Sequence, residues 1–436
     1  ADILEETAYA AAVDNNCLDS ICSCCFIEKD HSPLFRCALC KIVSYCDKDC
    51  QKYDWSIHKA ECKFLRGSLP RVPSENVRLM ARLLIRRRNG DSTKVTAFNG
   101  RTFNDLIHHS EKMKSYPPHF ILFTAVANEL KKFVSSEFMV DDEELLRYYG
   151  RMTMNAFSMS GAFHNTVGSG IFLGISALDH SCSPDAFVRF RGSFAVLRSV
   201  EKGVDYSDKL TISYLELHYT TKERRRKLKH YFFDCVCKMC MDKRKDGFAR
   251  SIKCTSCEDG ICLVLETTVL PCLTCKTPSQ ISAAEDNRLN DYVVTTLDVM
   301  EKSSPQYYGS ALDVYEKHAK VLSHRNVPLA SLAQRLTSHY YDRKQFDIAL
   351  KLVHTFSDAL RLHIPRGCPS LTISLMLATV VASYEKPITE KTRLLRKQVE
   401  EAILLSHGPI ELAEISGDKQ IEILYDKIDQ IDMRMK

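Results

Sequence analysis

Eight soft metal ligands lie within 41 residues near the start of this chain, and their spacing is typical of zinc binding. They form four short pairs: Cys22 and Cys25, Cys37 and Cys40, Cys46 and Cys50, His58 and Cys62. Thiolates and imidazoles hold zinc in fours with tetrahedral geometry, so eight ligands predict two ions. Close pairs can interleave, and we expect the first and third pairs to share one ion and the second and fourth the other. Zinc would then supply the folding free energy that a segment with so little apolar core lacks.

A second pattern of this kind comes later in the chain. Cys254 and Cys257 are followed after 14 residues by Cys272 and Cys275, with the β-prone run LVLETTVL between them. Two cysteine knuckles joined by strands predict a zinc ribbon.

A third group, Cys235, Cys237 and Cys240 in CVCKMC, is one ligand short of a zinc site. Cys182, 53 residues before Cys235, can complete it. Spacing alone leaves this pairing open, because a lone cysteine is often simply buried as a small apolar side chain. The other four cysteines are expected to be unligated thiols, buried or at the surface: Cys17, Cys24, Cys262 and Cys368.

Composition narrows the class of protein. The 436 residues are 45% hydrophobic and 26% charged, which is enough for two or three domains with apolar cores. A net charge of +5 excludes the pervasive basicity of a nucleic-acid coat protein and leaves direct nucleic-acid binding open. Most of the 19 cysteines fall in closely spaced groups, which favours metal over disulfides and a reducing compartment. No apolar run reaches the roughly 20 residues that a membrane span needs, and the two longest, HFILFTAVANEL and LTISLMLATVVASY, are expected to be buried helices.

The elements that must position these ligands change character along the chain. Residues 70 to about 160 predict helices, with Ser74 as a cap. Glycine and β-branched residues then predict strands, and DKLTISYLEL alternates as a strand does. The basic run from Lys222 to His230 is interpreted as a solvated helix face, with attraction to a basic-tail or nucleosomal partner as the alternative. From about residue 284 helical periodicity returns, including a hairpin around Tyr341 and Phe346.

Two sets of motifs carry a resemblance to a known family. The first zinc segment, with Tyr45–Cys46 and Cys50–Gln51, resembles a MYND finger. The stretch Asp179 to Asp185 (DHSCSPD), the strand LTISY ending at Tyr214 and the following CVCKMC resemble a SET domain. Together they resemble the SET and MYND domain (SMYD) family of protein-lysine methyltransferases.

The resemblance implies an α+β fold: a SET-type β fold split by the finger and a helical insert, then post-SET, zinc-ribbon and tetratricopeptide-like helical parts. The expected domains are 1–20 (remnant of the N-terminal SET part), 21–62 (finger), 63–155 (insert), 156–232 (SET core), 233–250 (post-SET), 251–280 (ribbon) and 284–436 (helical domain). Residues 1–20 resemble only the part of a SET domain that comes after the family's glycine-rich Gly-x-Gly segment.

It also implies S-adenosylmethionine-dependent methylation of a lysine on a histone tail or another protein. Tyr214 would be catalytic, Tyr231 would line the substrate channel, and Cys182 would join the third zinc site. The cofactor contacts would be Asn155, Ser176, Asp179, His180, Tyr214 and Phe233. At His180 the main chain is expected to matter more than the imidazole.

The chemistry explains why so few polar groups are needed. Methyl transfer to a neutral amine is an in-line displacement, so the protein mainly aligns donor and acceptor. A phenolic oxygen at the end of a narrow channel can orient the amine.

Asp179 and Asp185 stand where the family usually has asparagine, and an ionised Asp179 accepts hydrogen bonds but donates none. With the missing glycine segment, this motivates an alternative, a catalytically weak adaptor that binds partners in transcriptional regulation. Proline-rich peptides are the partners expected for the finger. We further expect a monomer, about four structural zinc ions, no membrane contact, and residence in nucleus and cytoplasm.

Overall fold

The computed structural model describes residues 2–28, 33–95, 97–98, 100–161, 165–201, 203–205, 209–302, 307–416 and 418–436. It confirms a mixture of helices and strands. The chain divides into two compact units, Ala1–Asp179 with Val188–Leu210 and Asp418–Gln420, and His180–Phe187 with Thr211–Gly417 and Ile421–Lys436. Among the described residues, no helix is both long and apolar enough to span a membrane.

The strands are short and pair antiparallel. They are β1 (Asp2–Thr7), β2 (Ala10–Val13), β3 (Phe35–Arg36), β4 (Ser44–Tyr45), β5 (Ala156–Ser160), β6 (Thr166–Ile171), β7 (Asp179–His180), β8 (Ala186–Arg191), β9 (Phe194–Ser199), β10 (Thr211–Ile212), β11 (Ile252–Lys253) and β12 (Ile261–Cys262). The two three-stranded sheets have the orders β1-β9-β8 and β2-β6-β5. Gly168 on β6 faces Val13 on β2, and a Cβ there would lie 2.4 Å from the carbonyl oxygen of Ala12. Only glycine therefore allows this close approach.

Helices dominate the rest of both units. They are α1 (Lys48–Ser68), α2 (Glu75–Arg88), α3 (Ser110–Lys114), α4 (Pro117–Phe133), α5 (Asp142–Asn155), α6 (Thr221–Leu228), α7 (Lys238–Met241), α8 (Lys243–Ala249), α9 (Ala283–Lys302), α10 (Tyr308–His318), α11 (Val327–Asp342), α12 (Phe346–His363), α13 (Pro369–Ala382), α14 (Glu390–Ser406), α15 (Ile410–Ser416) and α16 (Lys419–Met435). The helical stretches predicted before residue 160 and from about residue 284 are both present.

Local sequence signals explain several of these boundaries. Asp141 caps α5 by accepting the N–H of Glu144 at 2.8 Å. Thr220 and Glu223 form a capping box at the start of α6. The predicted hairpin is α11 and α12, and Lys344 turns the chain between them at φ 60°. Ser74 precedes α2 as predicted, but its side chain makes no capping hydrogen bond.

Each unit has its own apolar core. In the first unit, α2 is buried along nearly its whole length, and Leu79, Leu83 and Leu84 are at most 1% exposed. In the second unit, the core includes side chains of α11 to α14, such as Leu336 and Phe356. Apolar burial of this kind contributes most of the stabilisation that offsets chain entropy.

Three segments differ from the expectation. DKLTISYLEL forms only the two-residue strand β10, because Ser213 Oγ accepts the N–H of Leu215 and donates to its carbonyl oxygen, which turns the chain. LVLETTVL makes a single bridge between Val264 and Val269, and the ribbon strands are β11 and β12 instead. Helix α13 is buried, whereas α4 exposes three apolar side chains, Phe120, Ile121 and Leu122.

Candidate functional site

The finger brings its first and third cysteine pairs together. The sulfurs of Cys22, Cys25, Cys46 and Cys50 all lie within 4.8 Å of one another, and Cys25 Sγ is 3.5 Å from Cys46 Sγ. Cys46 directly follows strand β4, and Cys50 lies in the first turn of α1. A hydrogen bond with Cys25 lowers the pKa of the Cys22 thiol to about 5. Four clustered thiols at these separations fit a tetrahedral zinc ion.

The second and fourth pairs form a fully buried cluster. Cys37 Sγ lies 3.6 Å from Cys62 Sγ, and Cys40 Sγ lies 3.8 Å from His58 Nε2. His58 and Cys62 are four residues apart in α1, so they lie on one face of the helix. The other ring nitrogen, His58 Nδ1, faces Glu61 Oε2 at 3.0 Å. This contact assigns Nε2 to the metal and the proton to Nδ1.

A buried arginine that the sequence analysis missed holds this cluster in place. Arg82 on α2 donates to both carboxylate oxygens of Glu61 at 2.9 and 2.8 Å, and to both oxygens of Asp54 at 3.0 Å. Tyr45 Oη donates to Asp54 at 2.8 Å. Burial raises the pKa of Glu61, but the charges and hydrogen bonds of Arg82 and His58 together outweigh burial and hold that pKa below its usual range. The signal in the sequence is an arginine inside the apolar stripe of α2.

The third cluster joins segments that are far apart in the sequence. Cys182 Sγ lies 3.5 Å from Cys240 Sγ and 4.0 Å from Cys235 Sγ, and with Cys237 all four sulfurs are within 4.8 Å of one another. A hydrogen bond with Cys182 lowers the pKa of the Cys240 thiol to about 5. The structure therefore brings together the set that the resemblance implied and that spacing alone left open.

The basic run on α6 is not simply a solvated face, and that interpretation was wrong for two of its arginines. Arg224 is 2% exposed and donates to Cys240 Sγ at 3.7 Å. Arg225 donates to the carbonyl oxygens of Cys235 and Cys240, each at 3.3 Å. The third cluster needs this cation because four thiolates around one divalent ion leave a net negative charge.

The fourth cluster is the one predicted as a ribbon. Cys254 Sγ lies 3.6 Å from Cys275 Sγ, and Cys257 Sγ lies 3.7 Å from Cys272 Sγ. A Cβ on Gly260 would lie 2.4 Å from Cys257 Sγ, so glycine is required beside the knuckle.

The other cysteines lie outside these four sets. Burial raises the pKa of Cys24 to about 12 and also raises the pKa of Cys17, Cys262 and Cys368; the value for Cys262 is about 11.

Four rings gather beside the third cluster in the second unit. The centroid of Tyr214 lies 5.1 Å from that of Tyr231, 6.4 Å from that of Phe233 and 5.2 Å from that of His180. Tyr214, Tyr231 and Phe233 are half-buried. Such π faces suit a cationic group such as a sulfonium or an ammonium.

His180 connects the rings with the third cluster. Its Nδ1 accepts the main-chain N–H of Tyr214 at 3.0 Å, and its Nε2 lies 3.2 Å from Cys182 Sγ. Burial lowers the pKa of His180 to about 4, with a smaller contribution from the charge of Arg224. The imidazole is therefore neutral at pH 7, and its role here exceeds what the sequence predicted.

The remaining predicted cofactor contacts, Asn155, Ser176 and Asp179, belong to the first unit. The Asn155 side-chain nitrogen donates to two main-chain carbonyls at 2.8 and 2.7 Å. Ser176 Oγ donates to the carbonyl oxygen of Leu173 at 3.1 Å, and Asp179 is exposed.

The turn that carries Ser176 is held by a buried carboxylate that the sequence analysis missed. Glu6 on β1 accepts the N–H groups of Gly174 at 2.8 Å and Ile175 at 2.8 Å. No local signal could have found this contact, because the partners are 168 and 169 residues apart.

Comparison with known proteins agrees with this arrangement. Residues 22–62 match the family described as the MYND finger. The chain is 31% identical over 231 residues to human histone-lysine N-methyltransferase SMYD3, covering 52% of this chain and 53% of that protein. It is 31% identical over 249 residues to zebrafish N-lysine methyltransferase SMYD2-A, covering 56% of each. It is 27% identical over 442 residues to mouse histone-lysine N-methyltransferase Smyd1, covering 91% of this chain and 84% of that protein.

The fold and the four clusters thus define a MYND-finger protein with further candidate zinc sites. The finger match and the named relatives show that the chain is similar to SMYD proteins, the family that the sequence motifs resemble. The alignments to the SMYD3 and SMYD2-A relatives span about half the length of those proteins.

Proposed function

We propose that this chain is an S-adenosylmethionine-dependent protein-lysine N-methyltransferase. The observation that carries the proposal is the ring group around Tyr214, built beside the Cys182 cluster. The relatives bear the names of lysine and histone-lysine methyltransferases, which supports the same class of enzyme. Those names do not favour the adaptor alternative.

The proposed fold follows the family. The strands of the first unit would belong to a SET-type fold, which the finger and the helices α2 to α5 interrupt. The post-SET motif 233–250, the ribbon 251–280 and a tetratricopeptide-like domain 284–436 would come next along the chain. The two-helix hairpin of α11 and α12 supports the last assignment.

The four cysteine clusters would each hold a structural zinc ion. S-adenosylmethionine supplies the methyl group as an electrophilic sulfonium when it is bound. The Tyr214 hydroxyl would orient the lysine amine, Tyr231 would line the channel, and Phe233 would face the cofactor. No strong acid or base is required of the chain. The lysine ammonium would lose a proton to solvent first, and the neutral amine would then attack the methyl group in line as the S–CH3 bond breaks and S-adenosylhomocysteine leaves.

We place the remaining cofactor contacts at Asn155, Ser176, Asp179 and His180. The Asn155 side-chain nitrogen already donates to two main-chain carbonyls, so Asn155 would contact the cofactor through its side-chain oxygen as an acceptor. The substrate would be a lysine on a histone or another protein, and the finger would bind proline-rich peptides. Monomeric state and residence in nucleus and cytoplasm stay predictions.

The test is transfer of a labelled methyl group to core histones by the zinc-loaded chain. Tyr214→Phe keeps the ring and removes the hydroxyl, so we expect the rate to fall by about 100-fold. The control is Tyr292→Phe, whose ring stacks on His318 and whose side chain is exposed; it should keep full activity. Equal activity of wild type and Tyr214→Phe would refute the catalytic role, and no transfer to histones or to a pool of other proteins would refute the enzyme.

A further inference from the structure

The imidazole of His180 lies between a metal-ligating sulfur and the main chain of the tyrosine to which we assign catalysis. Its Nδ1 is 3.0 Å from the Tyr214 main-chain nitrogen, and its Nε2 is 3.2 Å from Cys182 Sγ. All three residues belong to the second unit. Both ring nitrogens are therefore committed to partners that differ in chemistry.

The two contacts fix the tautomer. The Tyr214 N–H is a donor, so Nδ1 must present its lone pair, and a neutral imidazole then carries its proton on Nε2. That proton points at the Cys182 sulfur, which accepts it as a thiolate in a zinc site. Hydrogen bonds from outer groups to ligands commonly tune and orient a metal site. Here the same ring also accepts the main-chain N–H of Tyr214, which lies just beyond β10.

Tyr214 needs such a support because the strand before it is short. Strand β10 ends at Ile212, where the last ladder contact is the Ser181 N–H donating to the Ile212 carbonyl oxygen at 2.9 Å. The chain then turns at Ser213. The Tyr214 N–H then donates to the side chain of His180 and not to a main-chain carbonyl of the ladder.

We propose that His180 is a positioning residue whose imidazole transmits the geometry of the Cys182 zinc site to the main chain of Tyr214. The catalytic role of Tyr214 rests on the proposed function, whereas the coupling of Tyr214 to the Cys182 site does not. Its consequence is that the third zinc site sets the direction of the tyrosine hydroxyl as well as stabilising the fold.

Two amide substitutions separate the two halves of the bridge. In His180→Asn, the amide oxygen can take the place of Nδ1 and accept the Tyr214 N–H, while the side chain is too short to reach Cys182. In His180→Gln, the amide nitrogen can reach the sulfur in the place of Nε2, while the Tyr214 N–H loses its acceptor. His324→Asn, at an exposed histidine of the same unit, is the matched control.

The first measurement does not depend on activity. Amide hydrogen exchange of the peptide containing Tyr214 should be faster by about 10-fold or more in His180→Gln than in wild type. In His180→Asn, which keeps the acceptor but loses the link to Cys182, the exchange rate should lie between those two. Zinc content is measured in parallel. Equal exchange in His180→Gln and wild type, at full zinc content, would overturn the coupling whether or not the chain methylates anything. Should His180→Gln fail to retain zinc, an exchange rate equal to wild type in zinc-loaded His180→Asn would overturn the coupling instead.

The second measurement is the kinetic one. Displacement of a reacting group by about 1 Å can cost about 100-fold in rate, so kcat of His180→Gln should fall by about 10- to 100-fold while KM for S-adenosylmethionine changes by less than about threefold. kcat of His180→Asn should lie between those of His180→Gln and wild type, and the control His324→Asn should keep the wild-type kcat. A rise in KM with unchanged kcat in His180→Gln would contradict a positioning role. Absence of methylation in wild type would refute the proposed function alone, because the exchange result stands independently.

Discussion

A single buried arginine shows how much of the finger depends on groups that bind no metal. Arg82 is 8% exposed and pairs with two carboxylates, Asp54 and Glu61, and Glu61 in turn orients His58. Removing one partner of a buried ion pair leaves an uncompensated charge, which costs far more than the pair contributes.

We therefore expect Arg82→Ala to lower the free energy of unfolding by about 3 kcal/mol or more. Guanidinium titration of the zinc-saturated protein measures this change. Arg88→Ala, at an exposed arginine one and a half turns later on α2, should change it by less than about 0.5 kcal/mol. A loss below about 1 kcal/mol in Arg82→Ala would mean that the two carboxylates find other partners.

A second residue-scale prediction concerns pH. His363 on α12 is 2% exposed, its Nε2 lies 3.2 Å from the Arg325 carbonyl oxygen, and burial lowers its pKa to about 4. In the unfolded chain its pKa is about 6.5, so between about pH 4 and 6.5 the unfolded state binds more protons. Stability must then fall as the pH falls through this window.

From pH 7 to pH 5.5 this histidine should cost about 1 kcal/mol. Zinc loss in acid adds its own slope, so the informative quantity is the difference between wild type and His363→Gln. Denaturation at both pH values should give the smaller pH slope in the variant. Identical slopes would show that His363 does not change its protonation on unfolding.

At the scale of elements, α6 is the helix whose role changed most between sequence and structure. It carries Arg224, whose guanidinium donates to the sulfur of Cys240. Burial lowers the pKa of this guanidinium, but the nearby Cys182 and Cys240 raise it by more, so the pKa is higher than usual. The exposed Arg226 on the same helix pairs only with Asp298 among the described contacts, at 3.5 Å.

Arg224→Gln should weaken zinc binding at the third site by about 10- to 100-fold, because the thiolates lose a nearby positive charge. Zinc transfer to a chromophoric chelator measures this: one of the ions should leave faster in the variant. Arg226→Gln should release zinc as wild type does. Unchanged release from Arg224→Gln would remove the electrostatic role of α6.

Spacing predicted the elements and clusters that depend on neighbouring residues. The finger cysteines, the ribbon knuckles and the helices from Ala283 onward are all indicated by local periodicity. The sequence could not predict contacts such as Glu6 with Gly174 or Cys182 with Cys240, because nothing local encodes a separation of 168 or 58 residues. Cys182 was placed by resemblance. Strand β10 was overestimated because alternation does not reveal the turn at Ser213.

At the scale of the whole molecule, each unit contains two cysteine clusters. The first unit holds the two clusters of the finger, and the second holds the Cys182 cluster and the ribbon. Metal that binds only the folded state stabilises it by mass action, so each unit should depend on zinc for its stability. Metal analysis of the purified chain should give about four zinc ions. A value near two would leave the Cys182 cluster and the ribbon without metal.

The central claim is that the zinc-held segment around Tyr214 forms a site for S-adenosylmethionine. Titration calorimetry tests it on zinc-loaded wild type and on Cys182→Ser, with Cys368→Ser, at a buried thiol outside the clusters, as the control. We predict binding of one S-adenosylmethionine per chain in wild type and in the control, and binding weakened by about 10-fold or more in Cys182→Ser. Absence of binding in wild type, or equal affinity in Cys182→Ser with the third zinc removed, would contradict the claim.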